Sequence, residues 1–183
     1  GMYQKSTLEN GLRVVTETMP GQRSISMGIL INAGPRDEAA EQGGLAHLVE
    51  HLMFCGTGSR NATQITRLMD EAGGHMGAFT SRDYTCFCAT VLDDYFTYAL
   101  DLLGDILLNS IFPQNSVERE KNAILREIES AADMPATRTH DLLKAFAWPD
   151  HPLGRCIAGS HGTVTALTRE DIIYFVHSHY LSR

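Results

Sequence analysis

The residues with the clearest chemical potential are two histidines and a glutamate within five positions of one another. His47, Glu50 and His51 lie in the apolar run GLAHLVEHLMFCGT (44–57). In an α-helix these three side chains project from the same third of the circumference. Burying two imidazoles and a carboxylate is costly unless hydrogen bonds or a cation compensate them. The pattern therefore favours a divalent metal site.

The order of the three residues points to zinc chemistry. Two histidines one helical turn apart can bind one zinc ion, and H-x-x-E-H is the inverzincin form of the zinc-peptidase motif. In this motif Glu50 does not bind the metal and can act as a general base toward a zinc-activated water. Two alternatives stay open, because the motif fixes only three positions: histidines satisfied by neighbouring carbonyls, or a chance match.

A catalytic zinc site needs a further protein ligand, and a second predicted helix over about 115–133 offers candidates. Asn115 and Glu118 predict its start as an N-cap and a capping box. Its apolar stripe places Glu120 and Glu127 two turns apart on one flank, at the border of the buried face. Helical geometry selects these two glutamates but does not rank them. The alternative is a solvated helix whose acidic and basic residues pair along its surface.

The elements that must position these residues are strands early in the chain and helices late in it. We predict a hairpin over 3–19 that turns at residues 9–11, a largely buried strand over 24–34, and two strands within 75–91. Besides the two helices above, the pattern predicts helices over 62–72, 93–110, 136–147 and 169–180. This order favours an α+β fold, a two-layer arrangement with helices packed on one face of a sheet.

Composition narrows the class of protein and its partners. The 183 residues, 43% hydrophobic and 20% charged, suffice for a core. We interpret 2–183 as a single domain and Gly1 as the remnant of a removed tag. A net charge of -7 without a basic run argues against nucleic acid. Because no signal-peptide pattern and no apolar run of membrane-spanning length occurs, we expect no membrane partner and a cytoplasmic location.

The remaining cysteines and histidines show no spacing typical of a metal site or a disulfide framework. We expect reduced thiols, with two of them as small core residues in a strand; the four are Cys55, Cys86, Cys88 and Cys156. Five further histidines are expected to be surface or structural residues: His140, His151, His161, His177 and His179.

At this point the sequence resembles the pitrilysin family of zinc peptidases, which includes insulin-degrading enzyme and the mitochondrial processing peptidases. The resemblance rests on GLAHLVEHLMFCGT and on NAILREIE (122–129), at the spacing from the first motif that the family shows. Two more segments are similar, GGHMGAFTSRDYT (73–85) and HPLGRCIAGS (151–160). Together the four segments cover most of the chain in the family's order.

The resemblance implies a zinc-dependent endopeptidase whose fold is one half of a clamshell. His47, His51 and Glu127 match the zinc ligands of the family. Glu50 matches its general base, and Glu120 matches a supporting acid in the site. The resemblance thereby ranks the two glutamates that helical geometry left equal.

The resemblance also implies a substrate-binding strand formed by Gly77, Ala78, Phe79 and Thr80. In the family this strand is an edge to which the peptide substrate adds as an extra strand, so that main-chain hydrogen bonds supply affinity. This chain has Gly77 where the family usually has asparagine. It also has Cys55 where a basic residue is common.

Family members contain two or more homologous domains that close around the substrate. The chain resembles the N-terminal catalytic domain, somewhat truncated, so a homologous second domain or a partner subunit is expected. Three alternatives accompany the endopeptidase hypothesis: a non-catalytic binding or structural subunit, a fragment inactive without its second domain, and metal binding without hydrolysis.

Overall fold

The computed structural model describes residues 3–181, so the interpretation of Gly1 concerns a position outside the described residues. The strands are β1 (Tyr3–Thr7), β2 (Arg13–Glu17), β3 (Ser24–Ile31), β4 (His75–Thr80) and β5 (Thr85–Leu92). The helices are α1 (Leu45–Met53), α2 (Ala62–Glu71), α3 (Phe96–Asn109), α4 (Gln114–Ala132), α5 (Pro135–Ala147), α6 (His161–Ala166) and α7 (Arg169–His179). Single 3-10 turns occupy Pro35–Asp37, Ala40–Gln42, Asp93–Tyr95 and Pro152–Gly154.

The strands form two antiparallel groups. β1 and β2 make the predicted hairpin, and the larger sheet has the order β3-β5-β4. Helices α1, α2 and α3 pack against strands of this sheet, on the face where Phe87, Ala89 and Val91 of β5 are buried. The mixed, non-parallel architecture confirms the predicted α+β class. The main elements that periodicity did not predict are the short helix α6 and the 3-10 turns.

The prediction that the third strand is largely buried is wrong. Along β3, half-buried residues alternate with exposed ones, and the Leu30 side chain is 66% exposed. The reason is that β3 lies at an edge of the described sheet and the described helices cover only one of its faces. The run GILI is continuous in hydrophobicity, but its residues still alternate between the two faces.

The predicted start of the second glutamate helix also requires correction. α4 begins at Gln114 with Pro113 at the N-cap, and no side chain caps it there. Asn115 therefore lies inside the helix, and Glu118 accepts a hydrogen bond from the Gln114 side-chain amide at 3.2 Å. Long-range contacts fix this start, since the guanidinium of Arg169 donates to the two carbonyls just upstream, those of Ile111 and Phe112.

Helix α1 lies at the centre of the core. Its residues Leu45, Leu48, Val49, Leu52 and Met53 are buried, and the helix packs against β4, α4 and α7. The four cysteines are free thiols; Cys86 of β5 is buried, as the strand pattern predicted, whereas Cys88 is only half-buried. The five additional histidines are all exposed. Within residues 3–181, every helix is too short or too polar to span a bilayer.

Candidate metal centre

The start of α1 is fixed by a buried carboxylate from the preceding loop. Gly44 occupies the N-cap with a φ of 95°, and it offers no capping side chain. Glu38 takes that role, because its carboxylate accepts the N–H of Gly44 at 3.1 Å and that of Ala46 at 2.7 Å. Burial raises the pKa of Glu38 to about 7, although both hydrogen bonds oppose the rise. Sequence reasoning missed Glu38; an acidic residue shortly before a glycine N-cap was the available signal.

A second loop presses directly on this helix start. A Cβ atom on Gly44 would lie 2.6 Å from the carbonyl oxygen of Ala158, and one on Gly159 would lie 2.2 Å from that of Gly43. The guanidinium of Arg155 also donates to the Glu38 carbonyl at 2.9 Å. The segment HPLGRCIAGS therefore supports the first turn of α1, the helix that carries the two histidines.

The opposite wall of the site is α4, and its position depends on a buried lysine. The ammonium group of Lys121 donates to the carbonyls of Thr165 and Leu167, both at 2.8 Å, at the end of α6. Val117 and Ile124 of the same helix are fully buried in the core. These contacts set the rotation of α4, so that Glu120 and Glu127 point toward the histidines of α1.

The two imidazoles and Glu127 converge on one point. The Nε2 atom of His47 lies 3.8 Å from Oε2 of Glu127, and Nε2 of His51 lies 3.8 Å from Oε1 of the same carboxylate. One donor atom from each of the three residues lies within 4.8 Å of the others. Donors around a tetrahedral zinc ion are roughly 3.4 Å apart for bonds of about 2.1 Å. Small side-chain movements would therefore bring all three onto one ion.

Glu120 contacts the far side of the His51 ring. Its Oε2 atom lies 3.3 Å from Nδ1 of His51, while its Oε1 atom accepts a hydrogen bond from Nε of Arg119 at 3.0 Å. The thiol of Cys55 is 3.8 Å from the same Oε1 atom. A carboxylate on Nδ1 keeps the proton there and leaves the Nε2 lone pair free, as in many histidine zinc ligands.

The surroundings of His47 also suit a cation. Burial lowers the pKa of His47, the neighbouring His51 acts in the same direction, and the charges of Glu50 and Glu127 act against it. A neutral imidazole is the form that binds a metal. Its Nδ1 atom is buried without a hydrogen-bond partner among the described residues. The donor set of two imidazole nitrogens and a carboxylate, with a half-buried Glu50 on the same helix, fits zinc.

The four residues of the expected substrate strand lie in β4 (His75–Thr80), which among residues 3–181 pairs with β5 on one side only. Its other edge carries no strand among residues 3–181. Ala78 and Thr80 lie on the helix-covered face and Phe79 on the other, where it is 49% exposed. Because α1 packs against β4, the strand lies beside the helix that carries the histidines.

Comparison with known proteins yields a consistent set of relatives. Residues 13–161 match the family described as insulinase, peptidase family M16. An uncharacterized zinc protease of Bacillus subtilis is 37% identical over 98% of the chain, which covers 44% of that protein. A probable mitochondrial-processing peptidase subunit beta of Arabidopsis thaliana is 40% identical over 96% of the chain, which covers 33% of it. The chain thus spans less than half the length of these relatives.

Two solved structures have the same fold. A protease from Helicobacter pylori superposes with a TM-score of 0.92 at 23% identity, over 98% of this chain and 44% of its own. A domain from Pseudomonas fluorescens, described as an M16 peptidase inactive domain, gives 0.89 at 19% identity over 96% of this chain and 43% of its own. At these identities the similarity concerns the fold alone.

Proposed function

Because the chain belongs to the insulinase family, peptidase family M16, whose members include zinc proteases, we propose that it is the catalytic N-terminal part of a zinc-dependent endopeptidase. The observation that carries the proposal is the convergence of both Nε2 atoms on the Glu127 carboxylate. In the proposal His47, His51 and Glu127 hold the ion, and Glu120 orients His51. A homologous second half completes the enzyme, as the greater length of the relatives supports.

The bound zinc would supply a water of lowered pKa and would polarise the scissile carbonyl. Glu50 lies on the same helical face as the two histidines but is not one of the converging donors, so its carboxylate would accept the proton of the water whose oxygen bonds to the scissile carbonyl carbon. The protonated Glu50 would then donate this proton to the amide nitrogen as the bond from that nitrogen to the carbonyl carbon breaks and the amine is released. The half-burial of Glu50 limits competing hydrogen bonds from bulk water, which favours this transfer.

The peptide substrate is proposed to lie along β4. An extended peptide can pair with the free edge formed by Gly77, Ala78, Phe79 and Thr80, so that its backbone is fixed whatever its side chains. Gly77 offers no side chain to anchor the peptide. Specificity at that point would therefore come from backbone contacts and from neighbours such as the half-exposed Phe79.

The test separates zinc binding from catalysis in the full-length protein. Glu50→Gln should keep one zinc ion per chain and lower peptidase turnover at least 100-fold, since general-base catalysis contributes about 100- to 10,000-fold. Glu127→Ala should lose both the zinc and the activity. Glu129→Ala, an exposed position of the same helix, is the matched control and should lose neither.

Two outcomes would contradict the proposal. Full activity of Glu50→Gln with zinc retained would remove Glu50 from the mechanism. Zinc binding by a full-length protein that cleaves no peptide would instead favour a non-catalytic subunit, or metal binding without hydrolysis. If the full-length protein cleaves peptides and the 183-residue chain does not, the second half is required for activity.

A further inference from the structure

Helix α5 is turned with a polar side toward the rest of the molecule. Thr137, Asp141 and Lys144, spaced as i, i+4 and i+7, are its half-buried residues, and none of its residues is fully buried. The carboxylate of Asp141 lies 3.8 Å from the guanidinium of Arg82 and 3.8 Å from the Cys156 thiol. A surface helix normally buries its apolar stripe and exposes its polar side. Here this arrangement is reversed.

The apolar side of α5 faces outward. Leu142, Leu143 and Phe146 lie within an arc of about 100° on the helix, and they are 47%, 63% and 81% exposed. We refer to these three residues as the α5 arc. Two further large side chains flank the helix, Met134 before its first turn and Trp148 just after its last, and both are about half exposed. A contiguous apolar patch on a protein surface usually marks an interaction site.

The loop that follows α5 packs closely against the C-terminal end of the helix. A Cβ atom on Gly154 would lie 2.2 Å from the carbonyl oxygen of Trp148 and 3.3 Å from that of Lys144. The N–H of Trp148 closes the last turn of the helix itself, on the Lys144 carbonyl at 2.9 Å. The outward orientation of the α5 arc is consistent with the contacts of Asp141 with Arg82 and Cys156, which lie on the other side of the helix.

We propose that the α5 arc is an interface for the other half of the protein, the region that the relatives have beyond the part matched here. The inference rests on the proposed function in one respect, that the chain is one half of a longer peptidase. The relatives give it support, since the chain covers only 44% and 33% of their lengths and the remainder offers a surface that can pack against this half. The partner surface is accordingly apolar and belongs to the same polypeptide.

The size of the patch favours this occupant over a second copy of the chain. A stable interface between separate proteins involves about 20 to 30 residues on each side. The α5 arc with its two flanking residues is much smaller. A small apolar contact suffices when a linker holds the two surfaces at high effective concentration, as between two halves of one chain.

The test is hydroxyl-radical footprinting of the α5 arc in the full-length protein and in the 183-residue chain. Both are measured at concentrations where sedimentation velocity shows monomers. Labelling of Leu143 and Phe146 is expected to be at least five-fold slower in the full-length protein. In that protein the double substitution Leu143→Glu and Phe146→Glu should raise the labelling of Leu142 to its rate in the short chain. His140→Glu, an exposed position of α5 outside the arc, should not.

Equal labelling of the arc in the two proteins would overturn the proposal. A second copy is tested by a separate concentration series, in which protection of the arc in the full-length protein that appears only where sedimentation shows a dimer would overturn the proposal. Circular dichroism shows whether the variants keep their helix content, and all substituted side chains are exposed in the chain. Neither labelling nor sedimentation depends on zinc or on peptide cleavage, so a failure here would leave the proposed catalytic function standing.

Discussion

The Nδ1 atom of His51 lies 3.3 Å from the Oε2 atom of Glu120. This contact decides which imidazole nitrogen is available, because a proton held on Nδ1 leaves the Nε2 lone pair directed toward Glu127. Arg119 in turn holds the other oxygen of Glu120 at 3.0 Å. The orientation of a ring on α1 thus depends on a chain of contacts that begins on α4.

Replacing Glu120 should weaken zinc binding without abolishing it. Glu120→Gln removes the negative charge beside His51, and loss of such a supporting partner typically costs 10- to 100-fold in metal affinity. Competition titration with a chelator measures the change. Glu118→Gln, an exposed glutamate of the same helix, is the control and should leave the affinity unchanged. Equal affinities for all three proteins would show that Glu120 does not support the site.

The buried carboxyl of Glu38 should make stability depend on pH. Burial raises its pKa from 4.5 to about 7. The stability that depends on this proton is therefore fully present below about pH 4.5, where the folded and the unfolded chain both hold the proton. As the pH rises toward 7, the unfolded chain loses this proton while the folded protein keeps it, and stability falls. The loss amounts to about 3 kcal/mol, at about 1.4 kcal/mol per pKa unit.

Denaturant unfolding between pH 4.5 and 8, with a chelator present, measures this dependence. Glu38→Gln should flatten the curve in that range, since an amide does not titrate. Glu41→Gln, an exposed neighbour in the same loop, should reproduce the unmodified curve. A Glu38→Gln protein with the original pH dependence would assign the effect to other groups.

Substitution of Gly44 should destabilise the fold and disturb the metal centre together. Gly44→Ala places a Cβ atom 2.6 Å from the Ala158 carbonyl oxygen at a φ of 95°. Strain of this kind costs about 1–3 kcal/mol, so the midpoint of thermal unfolding should fall and zinc affinity with it. Gly104→Ala is the matched control. No atom lies within 4 Å of its added Cβ in the interior of α3, and it should gain up to about 1 kcal/mol. Equal stability of the two variants would contradict this account.

Local sequence patterns predicted the elements that carry the site. The apolar residues around His47 and His51 point to a buried helix, and the strands within 75–91 follow from alternation and turn residues. These features depend on neighbours in the chain, so spacing alone reveals them. The convergence of α1 and α4 is different. Spacing selected Glu120 and Glu127 together, but their distinct positions depend on how α4 is rotated.

That rotation comes from contacts distant in sequence. Lys121 binds carbonyls at the end of α6, and Arg169 holds the chain just before α4, so the true helix start differs from the one that Asn115 predicted. The role of Glu38 was not predicted because it too depends on a contact outside the helix: Glu38 caps α1 from a loop that has no repeating sequence pattern. The burial of β3 was misjudged because hydrophobicity does not indicate whether a second layer covers the sheet.

Among residues 3–181, no strand pairs with the edge of β4 opposite β5, and this has a consequence beyond the proposed binding of a peptide. The backbone groups that a peptide could occupy are also a template for any other unpaired strand, including the same edge in a neighbouring molecule. Phe79 adds an exposed aromatic ring to that edge, and no lysine or proline lies between His75 and Thr80 to discourage such pairing. If a peptide binds along β4 as proposed, it and a second copy of the chain would compete for one row of hydrogen-bonding groups, and a bound peptide would then protect the protein from self-association.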